Sequence, residues 1–185
     1  MEDIKPKELK MKIRGRRAEI LIKEEEIKNK VRELGKKISE DFKGKEILVV
    51  GILKGSFIFM ADLVREIKGK VYIDFMQVSS YNTSMESSGE VIFVKDLTQN
   101  IDGKNLLIVD DIIDTGRTLK ALVEALKQRN PSSLKTCVLL DKKERREVDF
   151  EADYVGFVIP DRFVIGYGLD WAEEGRNLKD IYCII

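Results

Sequence analysis

The sequence predicts an α/β protein, a mainly parallel sheet with helices on both faces, and three observations predict it. The short apolar runs at 47–53, 106–109 and 136–140 are continuous rather than alternating, as expected of strands buried on both faces. Segments of helical apolar spacing separate most of the strand-like runs along the chain. Three run ends carry chemically unusual residues: Leu53-Lys54-Gly55-Ser56, Val109 to Thr118, and Asp141-Lys142-Lys143. In an open α/β sheet, the carboxyl ends of the strands face one crevice, so these three stretches should converge.

Each element has its own local reason. Residues 1–23 are charged with scattered aliphatics and read as an arm or a short strand around Ala18 to Ile22. From Glu24 to about Phe42, Ile27, Val31, Leu34 and Ile38 recur at helical spacing, and Gly44 closes that helix. Ile47 to Leu53 is a strand, broken by Gly55-Ser56. Phe57, Met60, Ala61, Val64 and Ile67 mark a second helix, stopped at Gly69. Val71 to Ser79 is strand-like. Residues 80–90 are polar and aperiodic, of a length that suits a functional lid. A strand at Val91 to Val94 follows, then Leu106 to Val109 as the central strand. Leu119, Leu122, Val123 and Leu126 face a third helix, which Asn130-Pro131 ends. Thr136 to Leu140 and Tyr154 to Ile159 complete the strands. The part after Pro160 reads as strand-poor and contains Gly166, Gly168 and Gly175; with the N-terminal arm it would form a small hood lobe. The expectation is one domain over 1–185, with a core at about 24–160 and a hood from about 1–23 and 160–185.

Composition excludes whole classes of function. Basic and acidic residues balance at 33 each, which gives nucleic acid or an anionic membrane no global field to feel. The chain has no histidine, so Ser-His-Asp and Cys-His catalysis and His-ligated metals are ruled out. Acid–base work near neutral pH falls to carboxylates, lysines or a tyrosine. Cys137 and Cys183 lie in apolar surroundings without metal spacing, as buried thiols of a reducing cytoplasm would. No apolar leader and no run of transmembrane length is present. The expected location is cytoplasmic, with no nucleic-acid or membrane partner.

The richest stretch is Val109-Asp-Asp-Ile-Ile-Asp-Thr-Gly-Arg-Thr-Leu119. It reads as a buried strand, a tight loop and a helix start. Unpaired amides at a helix start, at the positive end of its dipole, can hold a phosphate. Asp and Thr are also ordinary helix caps, but a cap needs one acid, whereas Asp110, Asp111 and Asp114 supply three. Three acids together need cations, hydroxyls or a proton to handle. A phosphate grip beside a hydroxyl grip points to a phosphorylated ribose.

This stretch resembles the phosphoribosyl diphosphate signature of the type I phosphoribosyltransferases. The wider pattern resembles the bacterial hypoxanthine(-guanine) members of that family. Five pieces carry the likeness in the family's order: Leu53-Lys54-Gly55-Ser56, Ser80-Tyr81, Val109 to Leu119, Leu139 to Arg146, and Val155 to Asp170. The resemblance implies the type I phosphoribosyltransferase fold. It also implies Mg²⁺-dependent purine salvage, in which hypoxanthine or guanine and phosphoribosyl diphosphate give IMP or GMP and diphosphate. Thr115, Gly116, Arg117 and Thr118 would cradle the 5′-phosphate. Asp110 and Asp111 would hold the ribose hydroxyls directly or through Mg²⁺, and the family more often has Glu at the first of these positions. Asp114 would exchange a proton with purine N7. Lys54, Gly55 and Arg176 would bind diphosphate, the family having a cis peptide between Leu53 and Lys54. Asp170 would be a further magnesium ligand, and Ser80 and Tyr81 would begin the lid. Phe163 would stack on the base opposite Ile112, Lys142 would donate to O6, and the Val164 main chain would meet the C2 edge. Family members form homodimers or homotetramers. The alternative is an RNA-binding regulator of pyrimidine operons on the same fold, but such regulators carry Tyr where Asp114 stands.

Overall fold

A computed structural model describes residues 7–79 and 92–185. The elements run β1 (Lys7–Ile13), β2 (Arg16–Ile22), α1 (Glu24–Asp41), β3 (Glu46–Leu53), α2 (Phe57–Glu66), β4 (Lys70–Ser79), β5 (Ile92–Lys95), β6 (Asn105–Ile113), α3 (Arg117–Lys127), β7 (Ser133–Asp141), β8 (Tyr154–Val158), β9 (Val164–Ile165) and β10 (Ile181–Ile184). The expected lid residues Ser80 and Tyr81 lie outside the described residues.

The main sheet has the order β5-β4-β3-β6-β7-β8, parallel throughout except for antiparallel β5. Its central strands are apolar on both sides because both sides are covered. Ile47, Val49, Leu107, Val109, Cys137 and Leu139 face α1 and α2, joined by Ile27, Val31, Leu34, Ile38, Phe59, Met60 and Leu63. Leu48, Val50, Ile52, Leu106, Ile108 and Val138 face α3 through Leu119, Leu122 and Leu126. Helices on both faces of a mainly parallel sheet are therefore as expected.

The helices start and stop for local reasons. Glu24, Glu25 and Glu26 fill the first turn of α1, where the dipole favours acids, and Glu26 accepts the Lys23 amide at 3.0 Å. The Glu24 amide donates to Asp180 Oδ1 at 2.7 Å, so a residue just before β10 caps α1. Gly35 lies against Glu66 of α2, where a Cβ would strike both its side chain and its backbone.

Two expectations need correction. The C-terminal part is not strand-poor: β9 and β10 join β1 and β2 in a second, antiparallel sheet of order β1-β2-β10-β9. Both are short, so pairing makes them strands: β10 lies on the distant β2 and β9 on β10. This hood sheet has its own apolar cluster of Ile13, Ala18, Ile20, Ile165 and Tyr182. The central strand also runs four residues past Val109, to Ile113. β7 keeps pairing there, with Asp110 opposite Val138, Ile112 opposite Leu140 and Ile113 opposite Asp141. No helix among the described residues is long and apolar enough to cross a membrane.

Replacing Gly35 with Leu should push α1 off α2 and destabilise the fold by about 1–3 kcal/mol, the usual cost of overpacking. Urea unfolding of wild type and variant measures it.

Candidate active site

The site begins where two strands part. β3 and β6 pair as far as Gly51 opposite Val109, and their register ends there. β3 leads to β4 on one side and β6 lies on the other, which makes this the switch point of the sheet. Beyond it β3 turns through a cis Leu53–Lys54 peptide while β6 stays with β7. Gly55 closes the floor. A Cβ there would run into the Asp111 carboxylate, and a Cβ on Gly168 of the hood would run into the Gly55 carbonyl. Glycine is required at both positions because three chain segments touch.

Asp110 and Asp111 thus lie inside β6. Asp110 Oδ1 accepts the Asp111 amide at 3.0 Å and Asp111 Oδ1 accepts the Ile112 amide at 2.9 Å. Burial, followed by the charge of Asp111, holds the Asp110 carboxyl well above the usual carboxylate range. Burial also raises Asp111, against hydrogen bonds that lower it. Crowded, poorly solvated acids of this kind call for a proton or a cation. Hard oxygen donors in that condition fit Mg²⁺, which needs few protein ligands.

The tight loop is only Asp114 to Gly116. Gly116, at φ 82°, is the N-cap of α3, and Thr115 Oγ1 accepts the Arg117 amide at 3.4 Å. Ile112, Asp114, Thr115, Gly116 and Thr118 line a concavity of about 110 Å³ with Asp110. Arg146 braces this loop: it donates to the Asp114 carbonyl at 2.6 Å and to the buried Asp141 carboxylate at 2.5 Å. Arg117 points outward, to Glu147 at 2.6 Å.

Lys142, 7% exposed, follows the end of β7, its amide bonded to the Ile113 carbonyl at 3.0 Å. Its ammonium lies 3.5 Å from Asp161. Arg145, at the end of a 3-10 turn (Lys143–Arg145), lies 2.8 Å from Asp114 Oδ1 through Nε and 3.6 Å from Asp161 through Nη1. Phe163 is 51% exposed at the crevice and meets the Trp171 ring edge at 5.7 Å between centroids. Val164 is buried in β9 opposite Cys183.

On the hood side, Arg176 donates to the Gly168 carbonyl at 2.8 Å and lies 2.8 Å from Asp170. The other oxygen of Asp170 accepts the Glu173 amide at 2.7 Å. Lys54 reaches Glu173 at 3.1 Å. The Lys54 hydrogen bond, ahead of its charge, lowers the pKa of the exposed Glu173 carboxyl.

The structure therefore brings the expected residues of all three strand ends to one crevice. Reading the sequence missed Arg145, Arg146, Asp161, Trp171 and Glu173. The basic cluster after Asp141 was a usable signal for the arginines. Asp161, Trp171 and Glu173 had none, because their importance lies in what they touch.

A family model described as the phosphoribosyl transferase domain matches residues 18–172. The chain is 56% identical over 173 residues to a hypoxanthine-guanine phosphoribosyltransferase of Aquifex aeolicus, covering 93% of this chain and 97% of that one. It is 49% identical over 162 residues to the bifunctional protein TilS/HprT of Listeria monocytogenes, of which it spans 25%. A crystal structure of a hypoxanthine-guanine phosphoribosyltransferase from Bacillus anthracis, with a HEPES molecule in its active site, superposes with a TM-score of 0.86 at 51% identity, over 90% of this chain and 98% of that one.

The raised pKa of Asp110 carries a stability consequence. Asp110 binds its proton more tightly folded than unfolded, so stability falls as pH rises from the ordinary Asp value near 4 toward the raised native value. Asp110→Asn should therefore raise the Tm at pH 7 without metal. The gain should shrink as pH falls toward about 3, below the ordinary Asp value, where the wild-type carboxyl is protonated in both states. Thermal unfolding across that pH range measures it.

Proposed function

The chain belongs to the phosphoribosyl transferase family, and from that membership and the crevice geometry we propose that it transfers the 5-phosphoribosyl group of phosphoribosyl diphosphate to hypoxanthine, and to guanine. The products are IMP or GMP and diphosphate, a purine-salvage reaction. The observation that carries this reading is the row of contacts that joins Asp114 through Arg145 and Asp161 to Lys142, with Phe163, two residues after Asp161, half exposed.

Thr115, Gly116 and Thr118 take the 5′-phosphate on open amides and two hydroxyls. Arg117, turned to Glu147, contributes its main chain. Asp110 and Asp111 take the ribose hydroxyls. Lys54, Gly55 and Arg176 receive the diphosphate. Asp110, Asp111 and Asp170 would hold Mg²⁺, which would supply charge neutralisation of the leaving group. Both Asp170 oxygens already accept one contact, and each keeps an acceptor position.

Phe163 stacks on the base with Ile112 across from it. An ammonium has only donors, so Lys142 favours the 6-oxo group and opposes a 6-amino group. A polar site left unpaired by the wrong partner discriminates by about 10⁴–10⁵. The Val164 main chain meets the C2 edge. Asp114 takes the N7 proton as the base attacks the ribosyl carbon and diphosphate departs. The chain works in the cytoplasm as a homodimer or homotetramer. The comparisons favour this reading over an RNA-binding regulator, and Asp114 supports it.

Nucleotide formation from phosphoribosyl diphosphate and Mg²⁺ should occur with hypoxanthine and guanine and be slight with adenine. Equal use of adenine would refute the role of Lys142. Asp114→Asn should lower kcat by about 10²–10⁴ with modest change in KM, as loss of a positioned proton acceptor does. Steady-state kinetics on both substrates reads this, and near-normal turnover would refute the assignment.

A further inference from the structure

Four alternating charges run along one wall of the crevice: Asp114, Arg145, Asp161 and Lys142. Arg145 Nε is 2.8 Å from Asp114 Oδ1, Arg145 Nη1 is 3.6 Å from Asp161 Oδ1, and Lys142 Nζ is 3.5 Å from the same Asp161 oxygen. The contact at Asp114 is an ion pair without an aligned N–H. Oδ1 is buried and accepts no hydrogen bond from the protein. Its acceptor position is thus unused while a cation lies against it.

A buried carboxylate oxygen with a free lone pair is costly unless something fills it. The guanidinium offsets part of that cost by charge and leaves direction to an incoming donor. Arg145 is also a planar fork able to touch two carboxylates at once, which a lysine cannot do in the same way. Its two carboxylates come from different elements, Asp114 from the loop before α3 and Asp161 from the segment before β9. Lys142 and Arg145 share Asp161, so the acceptor at one end of the row and the donor at the other are tied through a common pair.

We propose that Arg145 is a positioning residue that, with Asp161, holds the Asp114 carboxylate and the Lys142 ammonium at the spacing of the N7–O6 edge of an oxopurine. This rests on the proposed phosphoribosyl transfer. Those two purine atoms lie on one edge of the base, so a catalyst must fix acceptor and donor relative to each other as well as to the sugar. Among the described residues the Arg145 side chain forms ion pairs with Asp114 and Asp161 alone, so donor binding does not depend on it. Small misplacements of a reacting group are costly, which gives the pair its effect on rate.

A double-mutant cycle tests this, with circular dichroism and Tm as controls on folding. Arg145→Gln should lower kcat with hypoxanthine about tenfold, within the coupling range of contacting residues, and leave the KM for phosphoribosyl diphosphate unchanged. In an Asp114→Asn background the same substitution should change kcat by less than about twofold, because the group it positions is gone. Asp161→Asn should reproduce the kcat loss of Arg145→Gln. A folded Arg145→Gln enzyme with wild-type kcat overturns the assignment, and so does an equal loss in the Asp114→Asn background or a rise confined to the donor's KM. A wild-type chain inactive on every oxopurine overturns the phosphoribosyl reading itself, and this assignment with it.

Discussion

The parting of β3 from β6 after Gly51 and Val109 is the constraint on which the site depends. If the two strands had stayed paired, Asp110 and Asp111 would lie within a closed ladder with no room for a ligand. Because β7 continues to pair with β6, the carboxylates are held rigidly while one side of them opens. The contact of Gly55 with Asp111 and with Gly168 then fixes the hood over the gap. A side chain on either glycine would separate segments that must touch, so one close approach sets both floor and roof.

The second organising fact is electrostatic. Several crevice cations rest against hood or loop carboxylates: Lys54 on Glu173, Arg176 on Asp170, Lys142 on Asp161 and Arg145 on Asp114. An anionic ligand entering the crevice would therefore exchange one set of partners for another at these four cations. The pair at Lys54 and Glu173 is exposed and contributes little to stability, which makes it easy to exchange. Asp110 and Asp111 are the exception, a pair of acids with no cation against them in the described residues. Their raised pKa values mark a place where burying ionisable groups costs stability.

Much of the fold was legible because burial leaves a direct mark on composition. The strands 47–53 and 136–140 and the helix face of Ile27, Val31, Leu34 and Ile38 fall where apolar continuity and helical spacing put them. The errors have one cause. β6 was cut short at Val109 because two aspartates resemble a strand end, yet pairing with β7 carries it on to Ile113. The short strands β9 and β10 were missed because β10 pairs with β2, more than a hundred residues earlier in the chain, and β9 is a strand only through β10. In the site, the chemistry-bearing residues at the three strand ends were readable as types. The pairing of Arg145 with Asp114 and Asp161, and the edge of Trp171 on Phe163, were not, since an ordinary surface arginine or tryptophan has the same local sequence.

The sequence alone determined the layered α/β architecture, the absence of histidine chemistry and the cluster of acids and hydroxyls at residues 109–119. These follow from local quantities: apolar spacing, residue inventory, and the run of acids and hydroxyls before a helix. The tertiary structure decided which strands part, which glycines are compelled by contact, and which charges meet across the crevice. Those outcomes are set by packing between segments far apart in the chain. No local pattern encodes them, because the energy of each contact belongs to both partners at once.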